Sequence, residues 1–279
     1  MNTIGVIGLG YVGTAVKTGF QKSKNVVTYD IQKECTETGI GGVAQKAEII
    51  FVCVPTPMNI DGTCNTEIVD TVLSEISLLQ LPHRSICVIK STITPGTCDL
   101  LAQRYPNITV CFNPEFLTER NYIDDFVSQT NITLGYTGDS RSVKPVSQLY
   151  YERFPNSQVW VTTAKQAEMI KYVANTMLAT KVAFLNEIYQ ICQRTDIDFD
   201  QLTKVLKLDS RLGTSHWNVP GHDGKFGFGG TCFPKDLNAL IKFGQQNGQP
   251  TPLLDAVWNK NLEVRPEKDW ELDKGRVVI

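Results

Sequence analysis

No stretch of this 279-residue chain approaches the ~18 consecutive apolar residues that a membrane-crossing helix needs, so no membrane partner is expected. Surplus charge is missing as well. With 27 Lys and Arg against 29 Asp and Glu, the formal net charge is -2, which gives no electrostatic reason to expect nucleic acid or an anionic surface as partner. The opening residues, MNTIGVIGLGYVG, have no basic segment ahead of their apolar stretch, and glycines interrupt it, so no secretory signal is expected. The eight cysteines include no CxxC pair, the spacing that suggests zinc or a redox dithiol, and no metal is expected. Several of them, Cys53, Cys87 and Cys111, lie in apolar runs where a thiol behaves as a small hydrophobe. Internal repeats and low-complexity tracts are also absent. These absences describe a cytoplasmic, reduced protein.

What is present is an ordinary globular composition, 42% hydrophobic and 20% charged, on a chain longer than one compact core usually needs. Short β-branched runs recur at Thr3 to Ile7, Val26 to Tyr29, Ile49 to Val54, Ile86 to Ile89, Thr109 to Phe112, Ile132 to Leu134 and Gln158 to Val161. Each is continuous rather than alternating, the pattern of strands covered on both faces. Helical stretches lie between them, among them Val12 to Gln21, Glu67 to Leu79 and Ser142 to Arg153. This alternation predicts an α/β fold with a doubly wound parallel sheet over residues 1–162.

After Thr162 the period becomes helical, from about Ala164 to Arg194, with no internal proline or glycine. Its apolar positions Ile170, Val173, Ala174, Met177, Val182, Leu185, Ile188 and Ile191 form a stripe broad enough to be buried for most of its length. A helix of over eight turns usually packs beyond its own domain, so a homodimer contact is expected along it. Further helices are predicted at Phe199 to Leu206, Pro234 to Asn247 and Leu253 to Glu263. Residues 163–265 thus read as a mainly helical domain built on the long helix, and 266–279 as a tail. Arg276 to Ile279 resemble the start of a strand with nothing after it to pair with.

Gly8, Gly10 and Gly13 form GxGxxG directly after the first strand and at the head of a helix, with Tyr11 and Val12 between them. In that context Gly8 permits a tight turn, Gly10 lets the backbone approach a pyrophosphate and Gly13 lets helix and strand pack closely. The pyrophosphate would lie on the free N–H groups of the helix N-terminus. Asp30 ends the second strand, where a carboxylate accepts from adenosine ribose hydroxyls and opposes a 2′-phosphate. NAD is therefore the expected cofactor of a Rossmann-type domain, with Lys33 close enough to modify that preference. Pro55 and Thr56, and Ser91 and Thr92 after Lys90, leave the sheet at its carboxyl edge, where ligands bind. Thr56, Ser91 and Thr92 serve equally well as turn formers.

The segment Gly227-Phe228-Gly229-Gly230-Thr231-Cys232-Phe233-Pro234-Lys235-Asp236 carries the chemistry. Its glycines leave backbone free to lie against a ligand, and Pro234 opens a helix. A thiol at a helix N-terminus beside Lys235 has its thiolate stabilised by dipole and charge, which makes Cys232 a candidate nucleophile. Simple burial is the alternative for a free cysteine, and the polar, glycine-rich surroundings oppose it.

Taken together, GLGYVG, NPEFLTE and GFGGTCFPKD resemble the UDP-glucose and GDP-mannose dehydrogenase family, over nearly the whole chain. The resemblance implies oxidation of a nucleotide-sugar alcohol to an acid by two hydride transfers to NAD, with a thioester at Cys232 between them. It gives Glu115 a part in activating the hydrolytic water, and places Glu119 nearer the cofactor together with Lys235. Phe116 and Leu117 belong to the same substrate-facing segment. Lys171 and Asn175 match the family's KxxxN, and positions i and i+4 share a helix face. A lysine there would stabilise charge developing on oxygen, and the asparagine would donate a hydrogen bond. Asp236 could hold a water for the first proton removal.

Arg211 of DSRLG matches the family arginine that reaches substrate, often across a dimer, and could bind a phosphate or sugar hydroxyls, or pair with a nearby carboxylate. Asn218, Gly229 and Gly230 match the loop around the hexose. Family members usually carry a further α/β domain over the substrate nucleotide, and this chain stops where that domain would begin, which predicts a more open site. Two alternatives stand beside this reading. The β-hydroxyacid and 6-phosphogluconate dehydrogenases share the glycine loop and a Lys/Asn helix but have no cysteine nucleophile, and GFGGTC discriminates against them. A catalytically idle NAD-binding scaffold is opposed by intact Cys232, Lys171, Asn175 and Asp236.

Overall fold

The computed structural model describes residues 2–279. It divides into two units, the first made of residues up to Thr56 plus Asn65–Lys171, the second of Pro57–Cys64 plus Tyr172–Ile279.

The first unit is a seven-stranded sheet of β1 (Thr3–Ile7), β2 (Asn25–Tyr29), β3 (Ile49–Val52), β4 (Ile86–Ile89), β5 (Thr109–Phe112), β6 (Asn131–Tyr136) and β7 (Gln158–Thr163), in the order 2-1-3-4-5-6-7. All seven runs read from the sequence are strands, but the sheet is mostly rather than wholly parallel: β5 and β6 pair antiparallel. Along β3, Ile49 and Phe51 face one side and Ile50 and Val52 the other, and all four are buried because both sides carry helices. On one face lie α2 (Ile40–Lys46), α3 (Glu67–Ser77) and α4 (Thr97–Arg104). On the other lie α1 (Tyr11–Phe20), α5 (Tyr122–Val127) and α6 (Lys144–Arg153), where Phe20 meets the rings of Phe51, Phe126, Tyr150 and Phe154. Fully burying one such ring contributes about 1.5–3 kcal/mol. The strand β7 departs from the expected two-sided cover. It is one of the two edge strands, and Trp160 and Val161 are exposed there.

The helix α7 (Ala164–Thr195) runs from the first unit into the second. Its face differs from the expectation. Ile170, Val173, Met177 and Ile191 are exposed, whereas Ala167, Lys171, Asn175, Ala179 and Ala183 are buried, along with Leu185. Of the expected stripe, Leu185 is buried and Val182 and Ile188 pack against buried clusters, while Ala167, Lys171, Asn175, Ala179 and Ala183 take the inward positions where Ile170, Val173 and Met177 had been expected.

In the second unit, α8 (Phe199–Leu206), α9 (Phe233–Gln246) and α10 (Pro252–Val264) accompany the remainder of α7 and pack with its buried residues. Leu237 and Ile241 of α9 and Val257 of α10 pack with Ala179, Ala183 and Phe228. Residues 57–64 join this unit. Gly62 lies against Asn238 and Lys242, and Met58 pairs in parallel with Val278, so the strand-like C-terminal residues pair with an early segment of the chain.

Candidate active site

In the first unit the glycine loop has the predicted form. Gly8 has φ +88°, and a Cβ there would stand 2.7 Å from the Cys53 carbonyl oxygen. A Cβ at Gly13 would fall 1.8 Å from the Gly8 oxygen, so helix and strand touch only because that side chain is missing. At Gly10, the N-cap of α1, a Cβ would meet nothing within 4 Å, leaving the open approach that a pyrophosphate requires. The Asp30 carboxylate accepts the Leu9 N–H at 2.6 Å and the N–H groups of Gln32 and Lys33 at 2.8 and 3.0 Å. Burial tends to raise its pKa, but these amide donors and the Lys33 charge outweigh that and hold it below the ordinary aspartate value. Lys33 Nζ donates to the Leu9 carbonyl at 2.5 Å, so Asp30 and Lys33 close the loop together. Tyr11 rests against Tyr122. The loop therefore fits a dinucleotide on its geometry.

At the carboxyl edge the hydroxyls of Thr56 and Ser91 go to backbone, Thr56 to the Thr92 carbonyl at 2.7 Å and Ser91 to the Val54 carbonyl at 2.6 Å. For these two the turn-forming reading describes the bonds seen. Pro55 and Glu119 are exposed.

The loop after β5 brings together two residues that the sequence assigned separate tasks. Lys171 Nζ donates to Glu115 Oε1 at 2.8 Å and to the Glu115 carbonyl at 2.6 Å, with both side chains buried. Glu115 Oε2 accepts the Leu117 N–H at 2.7 Å. Desolvation pushes the Glu115 pKa up, and the Lys171 charge, these hydrogen bonds and Lys90 more than reverse it, so the carboxylate is favoured. The exposed Phe116 ring lies 5.7 Å from the Lys171 ammonium.

In the second unit Cys232 is the N-cap of α9 and is partly exposed, unlike buried Cys53, Cys87, Cys98, Cys111 and Cys192. Asp236, on the first turn of that helix, is buried. It accepts from Asn175 Nδ2 at 2.6 Å and pairs with Lys235 Nζ at 2.5 Å. Burial works against the Lys235 charge, but Asp236, Cys232 and Cys64 prevail and hold it protonated above its ordinary range. The glycine segment before Cys232 is held from below. Asn261 Oδ1 accepts the Phe228 N–H at 2.7 Å while Asn261 Nδ2 donates to the Phe228 carbonyl at 2.9 Å, and Asn186 Oδ1 accepts the Gly227 N–H at 3.0 Å. Buried Arg265 pairs with Asp223 and Asp269, and its guanidinium fills the space a Gly229 side chain would need. Gly230 is in the left-handed region with open space beside it.

Arg211 is exposed, and its guanidinium pairs with Asp209, the carboxylate alternative named above. Asn218 accepts from Lys207 at 3.3 Å. The sequence reading gave no part to Asn186, Asn261 or Arg265. Asn186 lies among the apolar residues Phe184, Leu185, Ile188 and Tyr189 of a stretch read as helix, and Arg265 between Val264 and Pro266, but neither position announces the distant backbone or carboxylate it binds.

Comparison with known proteins gives the family. The NAD-binding domain of the UDP-glucose/GDP-mannose dehydrogenase family matches residues 36–154 and the central domain of the same family matches residues 165–263. The chain belongs to this family. Among its relatives is the UDP-glucose 6-dehydrogenase of Rickettsia bellii, 34% identical over 224 residues, covering 78% of this chain and 50% of the relative. That of Pseudomonas aeruginosa is 34% identical over 244 residues, covering 82% and 52%. A solved UDP-glucose dehydrogenase from Pyrobaculum islandicum superposes with TM-score 0.86 at 27% identity, over 94% of this chain and 68% of that one. The chain spans about half the length of the first two relatives. Family membership makes the sheet with its glycine loop an NAD-binding domain. Among the described residues no helix is long and apolar enough to cross a membrane.

Proposed function

We propose that this chain performs the NAD-dependent oxidation of a nucleotide sugar, UDP-glucose to UDP-glucuronate, through a thiohemiacetal and a thioester on Cys232. The observation that carries this reading is the partly exposed thiol at the α9 N-cap, next to a charged Lys235 and a buried Asp236 that Asn175 holds in place. It is supported by relatives named UDP-glucose 6-dehydrogenase.

When bound, NAD supplies the acceptor for two successive hydrides, and Gly8, Gly10, Gly13, Asp30 and Lys33 are the residues that would hold it. Asp236 takes up, through a water, the proton lost as the alcohol becomes an aldehyde. The Cys232 thiolate then forms a carbon–sulfur bond to the aldehyde carbon, and loss of the second hydride leaves a thioester. By the family pattern, Lys171 and Asn175 stabilise negative charge on the substrate oxygen. Glu115 accepts a proton from the water that cleaves the thioester, restoring the thiolate and releasing the acid, whose own proton goes to solvent to leave the carboxylate. Only an ionised carboxylate can do this, and the Lys171 contact favours that state.

The exposed apolar line of Ile170, Val173, Met177, Phe184 and Ile191 on α7 supports a second proposal, that a second copy of the chain covers it.

Incubating the chain with NAD and UDP-glucose and counting NADH tests the chemistry. Two NADH per uronate are expected, with Cys232→Ala forming no acid. One NADH per sugar, or acid formation undiminished in the variant, would overturn the covalent route.

A further inference from the structure

Lys90 follows the four buried residues of β4 directly, and its side chain is buried with them, at 3% exposure. Long cationic side chains usually reach solvent or pair with a carboxylate. This one does neither: among the described residues no carboxylate lies within ion-pair distance of its ammonium. Nζ donates instead to Asn113 Oδ1 at 2.8 Å and to the Asn113 carbonyl at 3.3 Å. The Tyr150 hydroxyl donates to the same Oδ1 at 2.5 Å, and Asn113 Nδ2 donates to the Thr133 carbonyl at 2.8 Å. The Asn113 amide is thereby tied to β4, α6 and β6 at once. Its backbone N–H continues the ladder to the Ile89 carbonyl at 2.9 Å. Two residues further on stands Glu115.

The charged and titratable groups around Lys90 are few. Glu115 and Lys171 lie within electrostatic reach, as does Cys53 just after β3. Tyr150 approaches from α6, and α5 presents only the Phe126 ring, 5.8 Å from the ammonium. Burial pushes the Cys53 thiol up to about 12 and Tyr150 well above its usual value, so both keep their protons. Two lysines therefore face one carboxylate.

We propose that Lys90 is a positioning residue: its ammonium, anchored on Asn113, fixes the turn that carries Glu115 and supplies a second positive charge that keeps Glu115 ionised for thioester hydrolysis. This rests on the role of Glu115 given above. Burial, reinforced by the Lys171 charge and partly offset by Glu115, brings the Lys90 pKa down to about 8. A lysine that merely filled space would not govern the titration of Glu115.

The test uses the full chain with 13C-labelled glutamate carboxyls, the Glu115 resonance being assigned by its loss in Glu115→Gln. In Lys90→Met the Glu115 midpoint is expected to move up by roughly half a pH unit or more. Lys90→Gln, which keeps an N–H donor for Asn113 but no charge, should show the same shift and serves where the methionine variant does not fold. Tyr150→Phe removes the other donor to Asn113 without changing charge, and should leave the midpoint in place. An unmoved Glu115 titration in either folded Lys90 variant overturns the proposal. Because this readout needs no turnover, it is distinct from failure of the oxidation itself, which the NADH count on the unmodified chain reports. Where turnover occurs, the variants should give a normal first release of NADH followed by slowed hydrolysis, with the Cys232 acyl adduct accumulating in intact mass spectra.

Discussion

The Lys171–Glu115 pair lies inside the first unit, and burial makes each partner dependent on the other. Removing one leaves an uncompensated charge away from water, which typically costs about 3–5 kcal/mol. Glu115→Gln is therefore expected to destabilise the chain by roughly that order in urea melts at neutral pH. The pH dependence has a definite sign. The Glu115 pKa is lower in the folded than in the unfolded state, so its stabilising contribution is complete above the ordinary glutamate value. It is lost as the pH falls through the depressed native value. Unmodified protein should lose this component on acidification and Glu115→Gln should lack it; coincident stability profiles would contradict the pairing. Lys90 shows what a single residue hides from sequence reading. A lysine following ICVI reads as the point where a strand reaches solvent, and only the three bonds converging on the Asn113 side chain reveal that the chain is still buried there.

At the scale of elements, strand and helix periods were legible because the sheet is covered on both faces and the longer helices are amphipathic. The short helices α2, α4 and α5 were not read, whereas α8, as short as α4, was, because Phe199, Leu202, Val205 and Leu206 keep a helical spacing even over two turns. The inward face of α7 was read correctly at Val182, Leu185 and Ile188 and misread nearer its start for a different reason. Size and hydrophobicity pointed to Ile170, Val173 and Met177, whereas close packing selected alanines and the polar pairs of Lys171 and Asn175. The glycine loop, the cysteine and their neighbouring carboxylates were legible as motifs, because consecutive residues carry them. Their support from α10 was not, since Asn261 lies far along the chain from Phe228 and pairs with its backbone as an adjoining strand would. Asn261→Ala leaves the backbone N–H and carbonyl of buried Phe228 without these partners, and a loss of about 2–4 kcal/mol is expected in urea unfolding. Thiol labelling of Cys232 should change in rate as its loop loosens. A variant as stable as the parent, labelling at the parental rate, would show that α10 does not hold the loop.

On the scale of the whole molecule, the exposed side chains of α7 recur about every one or two turns from Ile170 to Ile191. Introducing charge there, as in Met177→Glu with Phe184→Glu, should lower the sedimentation coefficient toward that of a single chain; no change would mean that this face is not the contact. The cysteines are distributed to opposite effect. Five thiols are sealed in the interior, and desolvation pushes Cys53 and Cys87 up to about 12, while Cys35, Cys64 and Cys232 are partly open to solvent. An alkylating electrophile offered at neutral pH consequently meets a protein that behaves as though it had three thiols rather than eight, and a fluorophore or cross-linker can be installed at the nucleophile's loop while the sheet stays chemically silent.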